Sequence, residues 1–278
     1  MPLTPTDEIV RRARAAGTGV GAFNVLQLEH AQAIVAGAES ADRPVVLQIS
    51  ENTVRYHGAL EPVALASLAV ARAAKVPVAV HLDHAENPDL VREAVGLGLG
   101  SVMFDASKLP YDENVAATRE VVEECHRHGV WVEAELGEVG GKGGAHTPGV
   151  RTDPEEARAF VAATGVDALA VAVGSSHQML TRDAVLDFDL IARLRAAVDV
   201  PLVLHGSSGV PNADLALAVT SGMTKVNVST HLNKAFTRAV RDHLADHPEA
   251  VDPRRYLAPA RAAVAREVAH LLTVLAPA

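Results

Sequence analysis

The sequence predicts an α/β fold, a (β/α)8 TIM barrel with an extra N-terminal helix and a C-terminal helical extension, spanning 1–278 as a single domain. Three observations predict it. Eight short apolar runs alternate with helical patterns in a chain of 278 residues, a length that suits one α/β barrel. The first run ends in F-N-V-L-Q-L-E-H, without the Gly-rich phosphate turn that normally follows the first strand of an open doubly wound sheet. Nearly every run is apolar in its body and polar at its end, as expected where strand ends meet around one site.

The elements follow in order. Thr4 or Thr6 caps a first helix over D-E-I-V-R-R-A-R-A-A that stops at Gly17. Strands are expected at Val20–Val25, Pro44–Ile49, Val76–Leu82 and Ser101–Phe104. Four more are expected at Val130–Leu136, Ala168–Val173, Val200–Leu204 and Lys225–Val228. Their Val-rich runs read as strands buried on both faces. Helical patterns fill the intervals: Glu29–Ala41, Glu61–Ala74, Pro88–Leu97, Asp112–His128, Pro154–Thr164, Asp189–Ala197, Ala213–Ser221 and His231–His247. A last helix is expected from about Tyr256 to Leu275. The Gly-dense stretch Gly137–Arg151 reads as a long loop after the fifth strand, on the face that carries the site.

Composition narrows the function. The chain is 49% hydrophobic but only 3% aromatic, so its core is built from Ala, Val and Leu. A net charge of −9 and the lack of any Lys/Arg-rich run disfavour nucleic-acid binding. No stretch approaches the roughly 20 apolar residues of a membrane span, and no signal-type run opens the chain, so a cytoplasmic protein is expected. The single cysteine, Cys125, lies in a helical pattern and reads as a packing residue.

The strand ends carry the chemistry. Val76 to Glu86, V-P-V-A-V-H-L-D-H-A-E, ends in Asp83 and His84. Asn87 and Pro88 suffice to start the next helix, so capping does not require Asp83 or His84. His177 closes A-L-A-V-A-V-G-S-S-H, and His205 closes P-L-V-L-H-G-S-S-G. One such histidine would read as a hydrogen-bonded core residue. Three at equivalent strand ends read as ligands of a catalytic zinc with an open coordination position. Asp105 and either Glu133 or Glu135 stand at further ends, as extra ligands, as groups that orient the histidines, or as partners in salt bridges at the barrel mouth. Gly206, Ser207 and Ser208 after the seventh run, with Asn227, Ser229 and Thr230 after the eighth, suit a phosphate site of backbone N–H groups and hydroxyls. Asn24, Gln48 and Ser50 end the first two runs.

H-L-D-H, V-E-A-E-L-G, H-G-S-S-G and K-V-N-V-S-T, in this order and spacing, resemble the class II (metal-dependent) ketose-bisphosphate aldolases. The likeness runs from G-A-F-N-V to D-P-R-R-Y-L and is strongest to the tagatose-type branch. It implies a carbon–carbon lyase that cleaves a ketose phosphate, such as fructose or tagatose 1,6-bisphosphate, to dihydroxyacetone phosphate and an aldehyde. It implies that His84, His177 and His205 bind zinc, that Asp83 carries the hydroxyl proton, and that Asp105 and Glu135 bind a second or displaced metal. It implies that Gly206, Ser208, Asn227, Ser229 and Thr230 hold the phosphate end beside a monovalent cation, Na+ or K+, and that Asn24 and Ser50 touch substrate. A homodimer or homotetramer is implied as well.

Three departures from the family pattern stand out. Lys142 and Gly143 replace the acidic residues that usually follow E-L-G-x-x-G-G, leaving Glu138 and His146 as the nearest substitutes. Gln178 replaces a glycine after the zinc histidine, and so enters the expected substrate site. Fructose-type members place an arginine late in the chain for the second phosphate, and here Arg254 and Arg261 are the candidates without a matching motif around them.

The rivals are weaker. A Schiff-base aldolase needs a lysine at an apolar strand end, but Lys75 and Lys225 are expected at strand beginnings and Lys108 beyond its strand. A metal-dependent hydrolase barrel would want an H-x-H pair on the first strand, which is missing. A sugar-phosphate-binding barrel without catalysis would have little use for Asp83.

Overall fold

The computed structural model describes residues 2–136, 151–177 and 179–277. Eight parallel strands close into a barrel in sequence order: β1 (Val20–Asn24), β2 (Val45–Ser50), β3 (Val78–Ala85), β4 (Ser101–Phe104), β5 (Trp131–Leu136), β6 (Ala168–Val171), β7 (Leu202–Leu204) and β8 (Met223–Val228). The ring is sealed where β1 pairs with β8, Ala22 opposite Asn227. Helices α1 (Thr6–Ala16), α2 (Leu28–Ala41), α3 (Glu51–His57), α4 (Glu61–Ala73), α5 (Pro88–Leu97) and α6 (Tyr111–Arg127) lie in the first half. They are followed by α7 (Pro154–Thr164), α8 (Phe188–Ala197), α9 (Asn212–Ser221), α10 (Thr230–Asp246) and α11 (Pro253–Val274). No described helix is long and apolar enough to cross a membrane.

Side chains alternate across each strand, so every second residue faces the barrel axis. Outward-facing residues such as Phe23, Leu47, Leu82 and Leu169 pack against the helices in one large core. Inward-facing Val20, Ala22, Val46 and Ala79 form a small apolar cluster with Ile9 and Ala13 of α1. Met103, Trp131, Ala168, Ala170 and Val203 form another with Val10. The N-terminal helix is therefore the plug of the barrel floor. Ile9 and Val10 are buried there, and such side chains contribute about 1.5–3 kcal/mol each. At the other end of the chain α11 packs on α2, where a side chain on Gly37 would meet the Ala265 carbonyl at 2.5 Å.

Four expectations are corrected. Helix α3 was not foreseen: seven residues are too few to show periodicity, although the Ser50 hydroxyl accepts from Thr53 N–H at its N-cap and Gly58 ends it with φ 80°. The last helix starts at Pro253, capped by Asp252, rather than at Tyr256. Strand β6 ends at Val171, so His177 lies in the loop beyond it rather than on a strand end. Strand β8 starts at Met223, which makes Lys225 an interior residue of the barrel instead of a strand beginning.

Candidate active site

The alternation that builds the barrel would send Asp83 and His84 to opposite faces. His84 has φ 50°, in the left-handed region that non-Gly residues rarely adopt, and the β3–β4 register shifts between Leu82 and Ala85. This local break brings both side chains into one cleft. His205 follows directly after β7. His177 reaches the same place from its loop because Gly206, φ 66°, lets the β7 turn lie against Ser176: a Cβ there would sit 2.6 Å from that backbone. The three imidazoles stand with ring centres 5.1 Å (His84–His177), 4.6 Å (His84–His205) and 5.8 Å (His177–His205) apart.

Glu135 joins them: one ligand atom from each of His84, Glu135, His177 and His205 lies within 4.8 Å of all the others. His205 Nδ1 is buried without a hydrogen-bond partner, 3.4 Å from Glu135 Oε2. Three imidazoles, a carboxylate and an orphaned ring nitrogen fit a divalent metal of zinc type. Asp105 is placed differently from Glu135. Its Oδ2 accepts from His84 Nδ1 at 2.8 Å and its Oδ1 accepts from the Ser107 hydroxyl, so it orients a histidine from behind.

The cleft has a volume of about 680 Å³. Asn24, Ser50, Asp83, His84, His177, Gly206, Ser208, Asn227, Ser229 and Thr230 line it, as does Gln48, whose amide donates to Asn24 Oδ1 at 2.7 Å. Ser208 Oγ accepts from the backbone N–H groups of Ser229 and His231, tying the β7 turn to the start of α10. Ser207 is a correction: it is buried and its hydroxyl donates to the Leu204 carbonyl, turned away from the cleft. Gln178 and the Gly-dense stretch 137–150, with Glu138, Lys142, Gly143 and His146, lie outside the described residues. Arg254 pairs with Asp252 and Arg261 donates to Gln32, and neither lines the cleft.

Below the cleft, buried polar groups run down the barrel axis. Lys225 donates to Glu133 Oε2 and to Asn227 Oδ1, both at 2.8 Å. Glu133 Oε1 lies 2.9 Å from His205 Nε2, and Asn227 Nδ2 lies 3.4 Å from Asp83 Oδ1. Lower still, His81 Nδ1 is 2.8 Å from the Ser101 hydroxyl, which shares a 2.6 Å hydrogen bond with Thr6 of α1. Burial alone would raise the Asp83 carboxyl, but His84, His205, Lys225 and His81 outweigh it and hold it below the usual carboxylate range. Burial would also raise Glu133, and Lys225 with the two histidines holds it well below that range. Burial first, then Lys225, pushes His81 down to about 3, so it stays neutral. Sequence reasoning left Glu133 as an alternative to Glu135 and misplaced Lys225. The period-two parity of Glu133 with Glu135, and of Lys225 with Asn227, was the signal that puts both indoors.

At the mouth, α3 supplies Glu51 and Arg55, which pair with each other. Glu51 also accepts from the Glu86 backbone N–H, and Glu86 pairs with Lys108 at 2.8 Å.

Comparison with known proteins places this architecture. A model of the family "Fructose-bisphosphate aldolase class-II" matches residues 4–278. The crystal structure of the YdjI aldolase from Escherichia coli K12 superposes with TM-score 0.87 at 32% identity, over 98% of this chain and 97% of that one. A candidate fructose-1,6-bisphosphate aldolase from Coccidioides immitis gives TM-score 0.87 at 29% identity, over 98% and 96%. The fructose-bisphosphate aldolase of Campylobacter jejuni shares the fold, with TM-score 0.80 at 23% identity, over 97% and 93%. With a closed barrel, a His/Glu cluster at its mouth and a family match over nearly its whole length, the chain belongs to the metal-dependent class II fructose-bisphosphate aldolase family.

Proposed function

We propose that the chain is a zinc-dependent aldolase that reversibly cleaves a ketose 1-phosphate or bisphosphate to dihydroxyacetone phosphate and an aldehyde. The observation that carries this reading is the His84–Glu135–His177–His205 cluster beside Asp83 in a cleft whose other wall is the Ser208–Ser229–α10 turn. When bound, zinc supplies Lewis-acid stabilisation of the enediolate charge. The chain's own residues do the rest. The start of α10, through its dipole, and the hydroxyls of Ser208, Ser229 and Thr230 hold the phosphate, with Na+ or K+ as a further counterion. Asn24, Ser50 and Asn227 bind substrate hydroxyls. Asp83 takes the proton from the hydroxyl next to the scissile bond; that C–C bond breaks to an aldehyde, its electron pair passes to the enediolate, and a proton added at carbon completes dihydroxyacetone phosphate. General acid–base help of this kind is typically worth about 10²–10⁴-fold.

The mouth favours an uncharged aldehyde half over a phosphorylated one. Among the described residues the cations lining the cleft, Arg55 and Lys108, are already matched by Glu51 and Glu86, and Arg254 and Arg261 are elsewhere. A second phosphate would meet two carboxylates there.

The test is cleavage of fructose and tagatose 1,6-bisphosphates and of the corresponding 1-phosphates by intact, chelator-stripped and zinc-restored protein. Activity lost on stripping and recovered with zinc is expected, with higher kcat/KM for 1-phosphates. Bound zinc with no turnover on any ketose phosphate would replace the enzyme reading by a sugar-phosphate-binding one. Light scattering on the same preparation tests the homodimer or homotetramer that goes with this reading.

A further inference from the structure

Lys225 has no part in the chemistry just described, yet it is the one lysine buried in the barrel among the described residues. Burying an ammonium and a carboxylate is costly, and a well-packed apolar pair is often as stable or more so. The geometry suggests what the pair does. An ammonium only donates. The atom of Asn227 that faces Lys225 at 2.8 Å must therefore be the amide oxygen, which leaves Nδ2 facing Asp83 Oδ1 at 3.4 Å. The same ammonium takes Glu133 Oε2, leaving Oε1 to face His205 Nε2 at 2.9 Å. A carboxylate only accepts, so the hydrogen in that contact belongs to the ring. Nε2 of His205 therefore carries a hydrogen, and its 3.1 Å approach to Asn227 Nδ2 joins two donors rather than forming a hydrogen bond. The ring nitrogen left without a hydrogen-bond partner is Nδ1, the one that faces Glu135 in the cluster.

We infer that Lys225 is a positioning residue: from beneath the cleft it fixes, through Glu133, the tautomer of His205 and, directly, the amide orientation of Asn227. Its effect on metal binding deepens the functional reading above and rests on it. Its effect on the imidazole does not, because the tautomer is a property of the metal-free chain. One donor group thereby sets both the nitrogen offered to the metal and the donor offered to Asp83.

The test is long-range ¹H–¹⁵N correlation on full-length, chelator-stripped, ¹⁵N-histidine-labelled protein, with His205 assigned by His205→Gln. The wild type is expected to show His205 as the Nε2–H tautomer. In Lys225→Met the signal is expected to move toward a mixture of tautomers, and zinc affinity by chelator competition to fall about 10–100-fold. Because Lys225→Met leaves Glu133 alone in the core, Lys225→Met/Glu133→Gln is measured beside it. That variant strands no charge, and the glutamine amide, free to turn without the ammonium, is again expected to mix the tautomers. His205 held as Nε2–H in the double variant, with zinc affinity within about twofold of wild type, would overturn the inference and leave Lys225 as a charge partner alone. The tautomer readout stands whether or not any ketose phosphate is cleaved.

Discussion

Asp105 accepts the Nδ1 hydrogen of His84 at 2.8 Å, which turns the other edge of that ring toward His205 and His177. Carboxylates behind metal-binding histidines fix ring orientation and raise basicity, and their loss typically weakens metal binding 10–100-fold. Asp105→Ala is therefore expected to weaken zinc binding by about this factor while the fold persists. Chelator competition measures it, and an unchanged affinity would detach Asp105 from the metal.

Asp83 is nearly surrounded by cationic or donor groups, so it is held as a carboxylate ready to accept a proton. Asp83→Asn keeps the volume and removes that capacity. Turnover is expected to fall about 10²–10⁴-fold with zinc content unchanged. Near-wild-type kcat in that variant would assign proton transfer to another group.

Gly206 holds the left-handed φ that lets the β7 turn touch Ser176. Gly206→Ala adds a Cβ 2.6 Å from that backbone and places a side chain in an unfavourable conformation, a cost of about 1–2 kcal/mol before the clash. Expected are a lower melting temperature and a higher KM, since both His177 and the proposed phosphate turn hang on this contact. A variant matching wild type in both would show that the loop adapts.

His81 gives the protein an acid sensitivity. It stays neutral in the fold down to about 3, whereas an unfolded histidine titrates near ~6.5. Between these values the unfolded chain binds the extra proton, so this group's contribution is lost progressively as pH falls from about 6.5 toward 3. Asp83, also lowered, adds loss in the same direction at the acid end. Urea unfolding of stripped protein should show a falling midpoint over this window, and His81→Gln a shallower fall. An equally steep fall in the variant would place the sensitivity elsewhere.

Cys125 is fully buried on α6, and burial first pushes its thiol up to about 11. A thiol-specific chromogenic reagent is expected to leave the folded protein unmodified and to react with one equivalent in urea. Rapid reaction without denaturant would contradict the packing shown.

Much of this was legible in the sequence because period-two alternation carries polar ends on apolar bodies. That is how His84, His205, Asp83, Asn24 and Ser50 could be placed at one end of a barrel. The remainder failed for local reasons. Lys225 reads as a strand beginning because the apolar look of V-N-V starts just after it, whereas the strand starts two residues before it, at Met223. Ser207 and Ser208 are adjacent hydroxyls in a turn, and only the fold shows that one serves Leu204 and the other the α10 start. His177 was recognised as a member of the set, but the loop that carries it past the end of β6 has no periodicity to read. The left-handed twist at His84 left no trace in H-L-D-H.

The plug formed by α1 has a consequence for exchange with solvent. Ile9, Val10 and Ala13 fill the floor, and the Thr6–Ser101–His81 chain fastens it with hydrogen bonds that water would otherwise contest. Protons in the barrel interior can then reach bulk water by two paths, upward through the cleft or downward when α1 lifts away. A molecule seated in the cleft obstructs the first. The deuterium clock of the interior backbone should therefore slow when the cleft is filled and run fast when Thr6, Ile9 and Val10 lose their grip, which makes the barrel a bottle whose leak rate reports on its cork.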